Sequence, residues 1–362
     1  MPLQKLKTLY KTYEKWVPLT FFLAGFTFDA WILTRIDDWK TIVQQAAYLI
    51  ISGALISFDL LEEFDVFRPK AWFEKIWHYR EAAIHFLLGT LMNGYTIFYF
   101  KSASIFTSII FVALLIVVLT VTEFKKFGIA QRAVHFALLS LCTLSYFIYV
   151  VPIALGFVGV VPFIGAIVVS LAVLALPFYF LRKKLGEQAF QLSSQFVVPA
   201  ALVHLMFIVL YFTQTIPPVP LSLNGSGIYH AVKKENGKYV LTYLEKAHHW
   251  WKKGDQTFFA RPGDKIYCFV TVFSPTRFKD KIQIRWVFHD PKKGWDRRDA
   301  IPLSIAGGRE EGYRGYTTKE NYEPGDWRVQ IETTDNREIG RLYFTVVKDE
   351  TTGERGMKTE IM

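Results

Sequence analysis

The first 213 residues consist of long apolar runs separated by short charged connections. A bilayer core about 30 Å thick is spanned by roughly 20 apolar residues in a helix. By this criterion the sequence predicts an α-helical transmembrane bundle over residues 17–213, with about seven spans and with six or eight as alternatives. The predicted spans are residues 17–34, 41–61, 82–100, 104–122, 133–153, 159–181 and 197–213.

Lysine and arginine fall mainly in every second connection between these predicted spans. Those connections, with the N-terminal segment, hold 14 cations, whereas the others hold three: Arg35, Lys40 and Lys101. Cytoplasmic loops of membrane proteins are enriched in Lys and Arg, so the alternation predicts a cytoplasmic N-terminus and a C-terminal domain outside the cytoplasm. Residues 1–16 set lysines against an apolar face, which is typical of a helix at the membrane surface.

The hydrophobic pattern changes after residue 213. A Pro- and Gly-rich linker, 214–226, precedes short segments in which apolar and polar residues alternate, as in 282–288. A period of two is typical of strands with one face on a core, and Pro-Gly pairs mark the turns before two of them. We therefore expect an all-β, antiparallel sandwich over residues 227–347 and a flexible polar tail over 348–362.

Composition and motifs narrow the function classes. The net charge of +10 comes from cations that form no dense stripe, and no nucleic-acid motif is present, so a nucleic-acid partner is not expected. Cys142 and Cys268 fall in different predicted domains, which speaks against a disulfide framework. No nucleophile motif or metal-ligand spacing is found, so we predict neither a metal nor a cofactor and lean against an enzyme.

Two segments of the predicted β domain combine arginine with aromatic residues, at 294–299 and 307–317. Guanidinium groups bind phosphates and carboxylates, and exposed aromatic rings stack on sugars. The alternative is a set of solvated turns with local salt bridges. The binding hypothesis assigns the surface to Arg297, Arg298, Arg309, Tyr313 and Arg314.

Among the polar residues of the predicted spans, the candidates for a site within the membrane are Asp29, Asn93 and His204, which lie away from the cytoplasmic ends of the spans. Ionisable groups are costly to place in a bilayer, and they mark functional sites when they face one another. Together these residues would line a hydrated site, although a hydrogen-bonded structural histidine is an equal interpretation of His204. The best carboxylate–histidine pair for catalysis near an interface is Asp59 with His85.

Several blocks of the second half resemble one family. They are PPVPLSL (217–223), GIYHAV (227–232), HHWW (248–251), RPGDKIYCFVTVFSP (261–275), GGREEGYRGYT (307–317) and PGDWRVQIETTDNREIGRLYFTV (324–346). Over residues 215–347 the chain is similar to the bacterial domain of unknown function 2914, which often follows a multi-pass membrane region. The resemblance implies a bacterial inner-membrane protein with a periplasmic domain, and it carries no catalytic residues.

Three functions are therefore open. The leading hypothesis is an envelope binding or interaction module, whose partners besides the lipid bilayer are an anionic envelope polymer, a lipid headgroup or a periplasmic protein. The first alternative is a small-solute or proton-coupled transporter with an accessory β domain. The second is a membrane enzyme that acts on lipid-linked substrates.

Overall fold

The computed structural model describes residues 36–102, 128–244, 253–306 and 312–362. The chain divides into two compact units. The first contains Met1–Phe100, Ile105–Ala154 and Val160–Ile216, and the second contains Lys101–Ser104, Leu155–Gly159 and Pro217–Met362. The predicted surface segment 1–16 and the predicted spans 17–34 and 104–122 lie outside the described residues.

The described part of the first unit is helical. Asp38 caps the first helix, because its carboxylate accepts the backbone N–H of Lys40. A 3₁₀ segment, Gly186–Gln191, and a π-helical turn, Ser193–Val197, connect the last two helices. The helices are α1 (Trp39–Glu63), α2 (Ala71–Trp77), α3 (Arg80–Lys101), α4 (Gly128–Leu155), α5 (Val160–Leu185) and α6 (Val198–Phe212).

Four helical segments are long and apolar enough to cross a membrane: Trp39–Glu63, Arg132–Leu155, Val160–Phe190 and Ser194–Phe212. They contain four of the predicted spans. The predicted span 82–100 forms α3, but α3 does not qualify, because polar residues such as His85, Thr90 and Asn93 interrupt its apolar sequence. The expectation of about seven spans is therefore not supported by the part of the chain that the structure describes.

Helices α1 and α4 pack against each other in antiparallel directions. Near one end, the Tyr149 hydroxyl donates to Gln45 Oε1 at 2.8 Å, and Tyr146 donates to the carbonyl of Ile42 at 3.2 Å. Further along, a side chain at Gly53 would meet Leu139 at 3.7 Å. The two helices are therefore in contact at Gly53 and Leu139 as well as at their hydrogen-bonded end.

The second unit is a β-sandwich with a small third sheet. One sheet has the order β4-β1-β6-β9, the second has the order β5-β11-β10-β7-β8, and the third has the order β12-β3-β2. The described strands are β1 (Ser222–Tyr229), β2 (Ala231–Glu235), β3 (Lys238–Tyr243), β4 (Lys253–Gly254), β5 (Thr257–Ala260), β6 (Ile266–Phe273), β7 (Lys279–Asp290), β8 (Gly294–Ala306), β9 (Tyr313–Lys319), β10 (Gly325–Thr333), β11 (Glu338–Lys348) and β12 (Lys358–Ile361).

The core lies between the four- and five-stranded sheets. The alternating residues Ile282, Ile284, Trp286 and Phe288 of β7 are buried there, as their period of two predicts. The sandwich is not wholly antiparallel, because β4 pairs with β1 and β5 pairs with β11 in parallel. Both exceptions are short strands, whose few residues leave no alternation to read in the sequence.

Two predicted boundaries of the β domain differ from the structure. Strand β1 begins at Ser222, inside the predicted linker 214–226. The tail 348–362, predicted to be flexible, ends in β12, which pairs with β3. Arg355 holds the intervening chain through Asp264, at 2.7 Å, and Asp349, at 3.2 Å. Such main-chain and ionic contacts order a polar segment that has no apolar period of its own.

The connection between α4 and α5, Leu155–Gly159, belongs to the second unit. The backbone N–H of Lys279 donates to the carbonyl of Gly156 at 3.0 Å, and that of Val158 donates to Asp280 Oδ2 at 2.9 Å. The Val158 side chain packs on the edge of the sandwich core. This connection is therefore a structural part of the β-rich unit.

Deletion of residues 357–362 tests the role of β12. We expect amides of β3 to exchange with deuterium at least about tenfold faster, because β3 loses an edge partner and becomes the edge of a two-stranded sheet. Exchange in β7 and β10 should stay unchanged in full-length protein measured by mass spectrometry. Unaltered protection of β3 would contradict an ordered tail.

Candidate functional site

A transverse row of side chains crosses the outer face of the five-stranded sheet. Strand pairing places Tyr343 opposite Arg328, Arg328 opposite Val287, and Val287 opposite Arg297. These residues lie on the face away from the core because their neighbours in sequence point inward. The row therefore joins β11, β10, β7 and β8 at one level of the sheet.

A β-bulge directs the start of β8 toward this outer face. In the other half of β8, Ile301 and Leu303 pair with inward-pointing residues of β7, and strict alternation from them would turn Trp295 and Arg297 inward. The register shifts between Trp286 and Val287, so that Arg297 pairs with the outward-pointing Val287 and Trp295 with His289. The extra residue thus moves an indole and a guanidinium from the core side to the solvent side.

Trp295 lies across the sheet. Its ring centroid is 5.8 Å from that of Tyr343 on β11 and 4.8 Å from that of His289 on β7. The Arg328 guanidinium is 4.7 Å from the indole centroid, within cation–π range. Val287 is fully buried although it is on the outer face, whereas Trp295 and Tyr343 remain 40% and 51% exposed. The two rings form an aromatic surface that solvent reaches.

Two arginines act on the Tyr343 hydroxyl. Arg341 Nη1 donates to it at 3.3 Å, while Glu338 holds Arg341 at 2.6 Å. Burial raises the pKa of Tyr343, but hydrogen bonds from Arg341 and Arg328 outweigh burial, and the net shift is downward. Glu338 raises the pKa of Arg341, which stays charged. The hydroxyl therefore lies in a field that favours negative charge.

Two cations of this face lack a neutralising carboxylate. Within the described ranges, neither Arg297 nor Arg328 makes an ion pair, whereas Arg285 is held by Glu332 at 2.8 Å. We refer to Trp295, Arg297, Arg328, Arg341 and Tyr343 as the aromatic–arginine face. Its chemistry is suited to a ligand that has a ring to stack and an anionic group to pair.

The structure separates the residues predicted from sequence. Arg297 lies on the aromatic–arginine face, but Arg298 is the extra residue of the bulge, ion-paired to Asp296 and 5.4 Å from the Phe288 centroid. Tyr313 packs against the core, and Arg314 belongs to β9 of the other sheet. Arg309 lies outside the described residues.

Sequence reasoning missed Arg328, Arg341 and Tyr343. The available signal was their period of two in β10 and β11, which puts them on the face opposite the buried Val329, Ile331 and Phe344. Nothing in the sequence shows that this face meets Trp295, because strand order and register are tertiary properties.

The polar residues predicted within the membrane have different surroundings. His204 is locked between helices: its Nδ1 contacts the carbonyl of Ala200 at 2.8 Å, and its Nε2 contacts the Ser170 hydroxyl at 3.1 Å. Asn93 is buried in α3, and Asp29 lies outside the described residues. Both ring nitrogens of His204 are therefore within hydrogen-bond distance of groups on the helices.

Asp59 and His85, the predicted carboxylate–histidine pair, each contact another residue. Asp59 forms an ion pair with Arg80, which also contacts Glu62 at 3.0 Å. The ring of His85 meets that of His135, with 5.4 Å between centroids.

Comparisons with known proteins bear on the second unit. Residues 279–346 match the family described as "Protein of unknown function (DUF2914)". The predicted resemblance to this family is confirmed. The DUF2914 match includes every residue of the aromatic–arginine face, so the face lies in the part of the chain that carries the family's sequence pattern.

Solved structures offer only remote likenesses. An immunoglobulin-like protein from Pseudomonas aeruginosa is 12% identical with a TM-score of 0.22, covering 36% of this chain and 98% of that one. A β-glucosidase from Listeria innocua in complex with glucose is 12% identical with a TM-score of 0.19, covering 30% of this chain and 16% of that one. Scores this low support no argument about function. No curated protein matches the chain.

The histidines of the β-rich unit form no metal site in the described residues, where no group of three potential ligands converges. His248 and His249 lie outside those residues, and His289 contacts Trp295. His230 is enclosed instead: its ring stacks on Phe258 with 4.0 Å between centroids.

Burial, assisted by the charge of Arg355 and opposed by nearby aspartates, lowers the pKa of His230 to about 4. The side chain is almost completely enclosed, and Asp255 Oδ2 lies 3.7 Å from its Nε2. The neutral ring is thus the native form near neutral pH. The unfolded state binds the proton more readily than the folded state. The contribution of His230 to the free energy of unfolding is therefore complete above the unfolded pKa of about 6.5 and is lost as pH falls toward 4.

The substitution His230→Gln tests this dependence. Between pH 6.5 and 4 we expect the free energy of unfolding of the β-rich unit to fall more steeply in the wild type than in the variant. The difference between the two slopes should be up to about 1.4 kcal/mol per pH unit. Hydrogen exchange of β1 and β2 in full-length protein, measured across this range, reports the difference. Parallel pH profiles for both proteins would show that His230 is not the responsible group.

Proposed function

We propose that this protein is a membrane-anchored binding module whose β-sandwich recognises an anionic glycan of the bacterial cell envelope. The observation that carries the proposal is the aromatic–arginine face. There, two exposed rings lie beside two guanidinium groups that have no carboxylate partner in the described structure.

The two kinds of group serve different parts of such a ligand. The exposed rings of Trp295 and Tyr343, whose planes are inclined at 65°, suit the apolar face of a sugar ring, which buries area without a deep cavity. Arg297 and Arg328 flank this surface and suit carboxylate or phosphate substituents, which accept hydrogen bonds from guanidinium forks. A repeating polymer would place both features along the sheet at once.

The proposed placement is the bacterial inner membrane, with the N-terminus in the cytoplasm and the β-sandwich in the periplasm. The alternation of cations along the sequence supports this orientation. The assignment of Leu155–Gly159 to the same unit as the sandwich also supports it. This segment is a connection that the cation pattern assigns to the outer side.

Introduced cysteines test the orientation. The native Cys142 and Cys268 are both buried, which keeps background labelling low. In intact spheroplasts we expect Gly353→Cys to react with a membrane-impermeant maleimide and Lys183→Cys to react only after lysis, since both positions are exposed. Labelling of Lys183→Cys before lysis would reverse the proposed topology.

Binding of alginate, a polymer of uronic acids, tests the ligand class. With full-length protein in nanodiscs, we expect Arg297→Ala combined with Arg328→Ala to weaken binding by about tenfold to a hundredfold, because two charge-assisted contacts are lost. Trp295→Ala should weaken it comparably through lost stacking. Higher salt should also weaken it, since exposed charges are screened.

Arg298→Ala is the matched control. Arg298 is the sequence neighbour of Arg297, but its guanidinium is already ion-paired and lies against Phe288. It should bind as the wild type does, and neutral dextran should not bind to either protein. Equal effects of Arg297→Ala and Arg298→Ala would contradict the site assignment. Binding of anionic phospholipid vesicles or of a periplasmic protein, with no binding of alginate, would replace the glycan by another ligand class.

A further inference from the structure

An apolar groove lies between α1, α4 and α5. Its volume is about 590 Å³, and its rim is exposed, with Ile50 72% and Leu176 69% accessible. The polar groups in its wall are few, and Ser57 and Thr143 donate to backbone carbonyls of their own helices. The groove is lined by Ala46, Leu49, Ile50, Gly53, Ala54, Ser57, Phe58, Leu139, Thr143, Tyr146, Phe147, Val173, Leu174, Leu176, Pro177 and Phe180.

Small residues account for the depth of the groove. Ala46, Gly53 and Ala54 of α1 all line the groove, and a Cβ atom at Gly53 would lie 3.7 Å from the Leu139 side chain of α4. Pro177 lies inside α5 and interrupts its hydrogen-bond ladder. The three helices that supply the walls all contain segments long and apolar enough to cross a membrane. In a bilayer, the side of the groove that no described residue covers would face hydrocarbon.

Positive charge lies beyond one end of the groove. Phe58 and Phe180 meet edge to face there, with 6.0 Å between centroids. Lys184 follows Phe180 by four residues on α5 and therefore lies one turn further along the same face. Arg182, Lys183 and Lys184 are exposed, and no ion pair among the described residues involves them.

We propose that this groove binds one acyl chain of an anionic phospholipid, with the headgroup at Arg182, Lys183 and Lys184. The apolar walls select a hydrocarbon chain, and the unneutralised cations select a negative headgroup. The position agrees with the proposed orientation, in which this end of α5 is cytoplasmic. The inference rests on the proposed membrane placement, and it does not depend on the ligand of the β-sandwich.

Native mass spectrometry of the full-length protein tests the site. Micelles would contain equal amounts of phosphatidylglycerol and phosphatidylcholine with identical acyl chains. We expect the wild type to retain one phosphatidylglycerol per chain. Ala54→Phe should lower the bound fraction about tenfold, because the ring fills the groove. Ala46→Phe fills it from the neighbouring turns and should act in the same way.

Val43→Phe is the matched control, since it adds the same ring to α1 at an exposed position that does not line the groove. It should bind lipid as the wild type does. Replacing Arg182, Lys183 and Lys184 by Gln should abolish the preference for phosphatidylglycerol while one lipid is still retained. Equal lipid loss from Ala54→Phe and Val43→Phe, or no preference in the wild type, would overturn the proposal in favour of unspecific surrounding lipid.

A photoreactive phosphatidylglycerol, with a diazirine in its acyl chain, provides a measurement on the wild type that needs no folded variant. Crosslinks should concentrate on groove residues such as Leu139 and Phe147. Crosslinks spread evenly onto the exposed Val43 and Leu202 would overturn the assignment. A lipid result of either sign leaves the alginate result unchanged, because the two tests use residues of different units.

Discussion

The pairing of β7 with β8, including its bulge, is the constraint on which the candidate site depends. β7 also pairs with β10, and β10 with β11, so β7 sets the register of four strands. On its inner face Trp286 anchors the core, and on its outer face Val287 lies beneath Trp295. A one-residue change in this register would exchange the two faces of β8 and remove the aromatic–arginine face.

The same sheet shows how a binding face is compatible with a stable core. Inward residues of β7 and β10 are apolar and completely enclosed, so the scaffold does not need the outer residues for stability. Outer charges are then divided into two groups. Arg285 and Arg341 are neutralised by Glu332 and Glu338, whereas Arg297 and Arg328 form no ion pair with any described residue. Unneutralised charge on a rigid sheet is available to a ligand without a prior loss of ion pairs.

The helical unit uses polar groups differently. The ring of His204 and the hydroxyl of Tyr149 use their hydrogen bonds for contacts within or between helices, where the surroundings are apolar. The groove between α1, α4 and α5 arises where small residues replace large ones, and it is almost entirely apolar. The two proposed ligands therefore differ as their sites do: a charged glycan at the sheet and a hydrocarbon chain at the helices.

The sequence by itself determined the division into an apolar helical part and a β-rich part, since these depend on local periodicity and composition. It also determined strand β7, because the alternation over 282–288 is long enough to read. It failed for β12, because a polar strand is ordered by its partner β3 and by Arg355 rather than by its own pattern. Of the residues in the candidate site, the sequence indicated Arg297. It indicated Arg298 equally, because nothing in the sequence shows that a bulge gives two adjacent arginines different surroundings. Only the tertiary structure brought Trp295 to Arg328 and Tyr343, since strand order and register join residues that are distant in the chain.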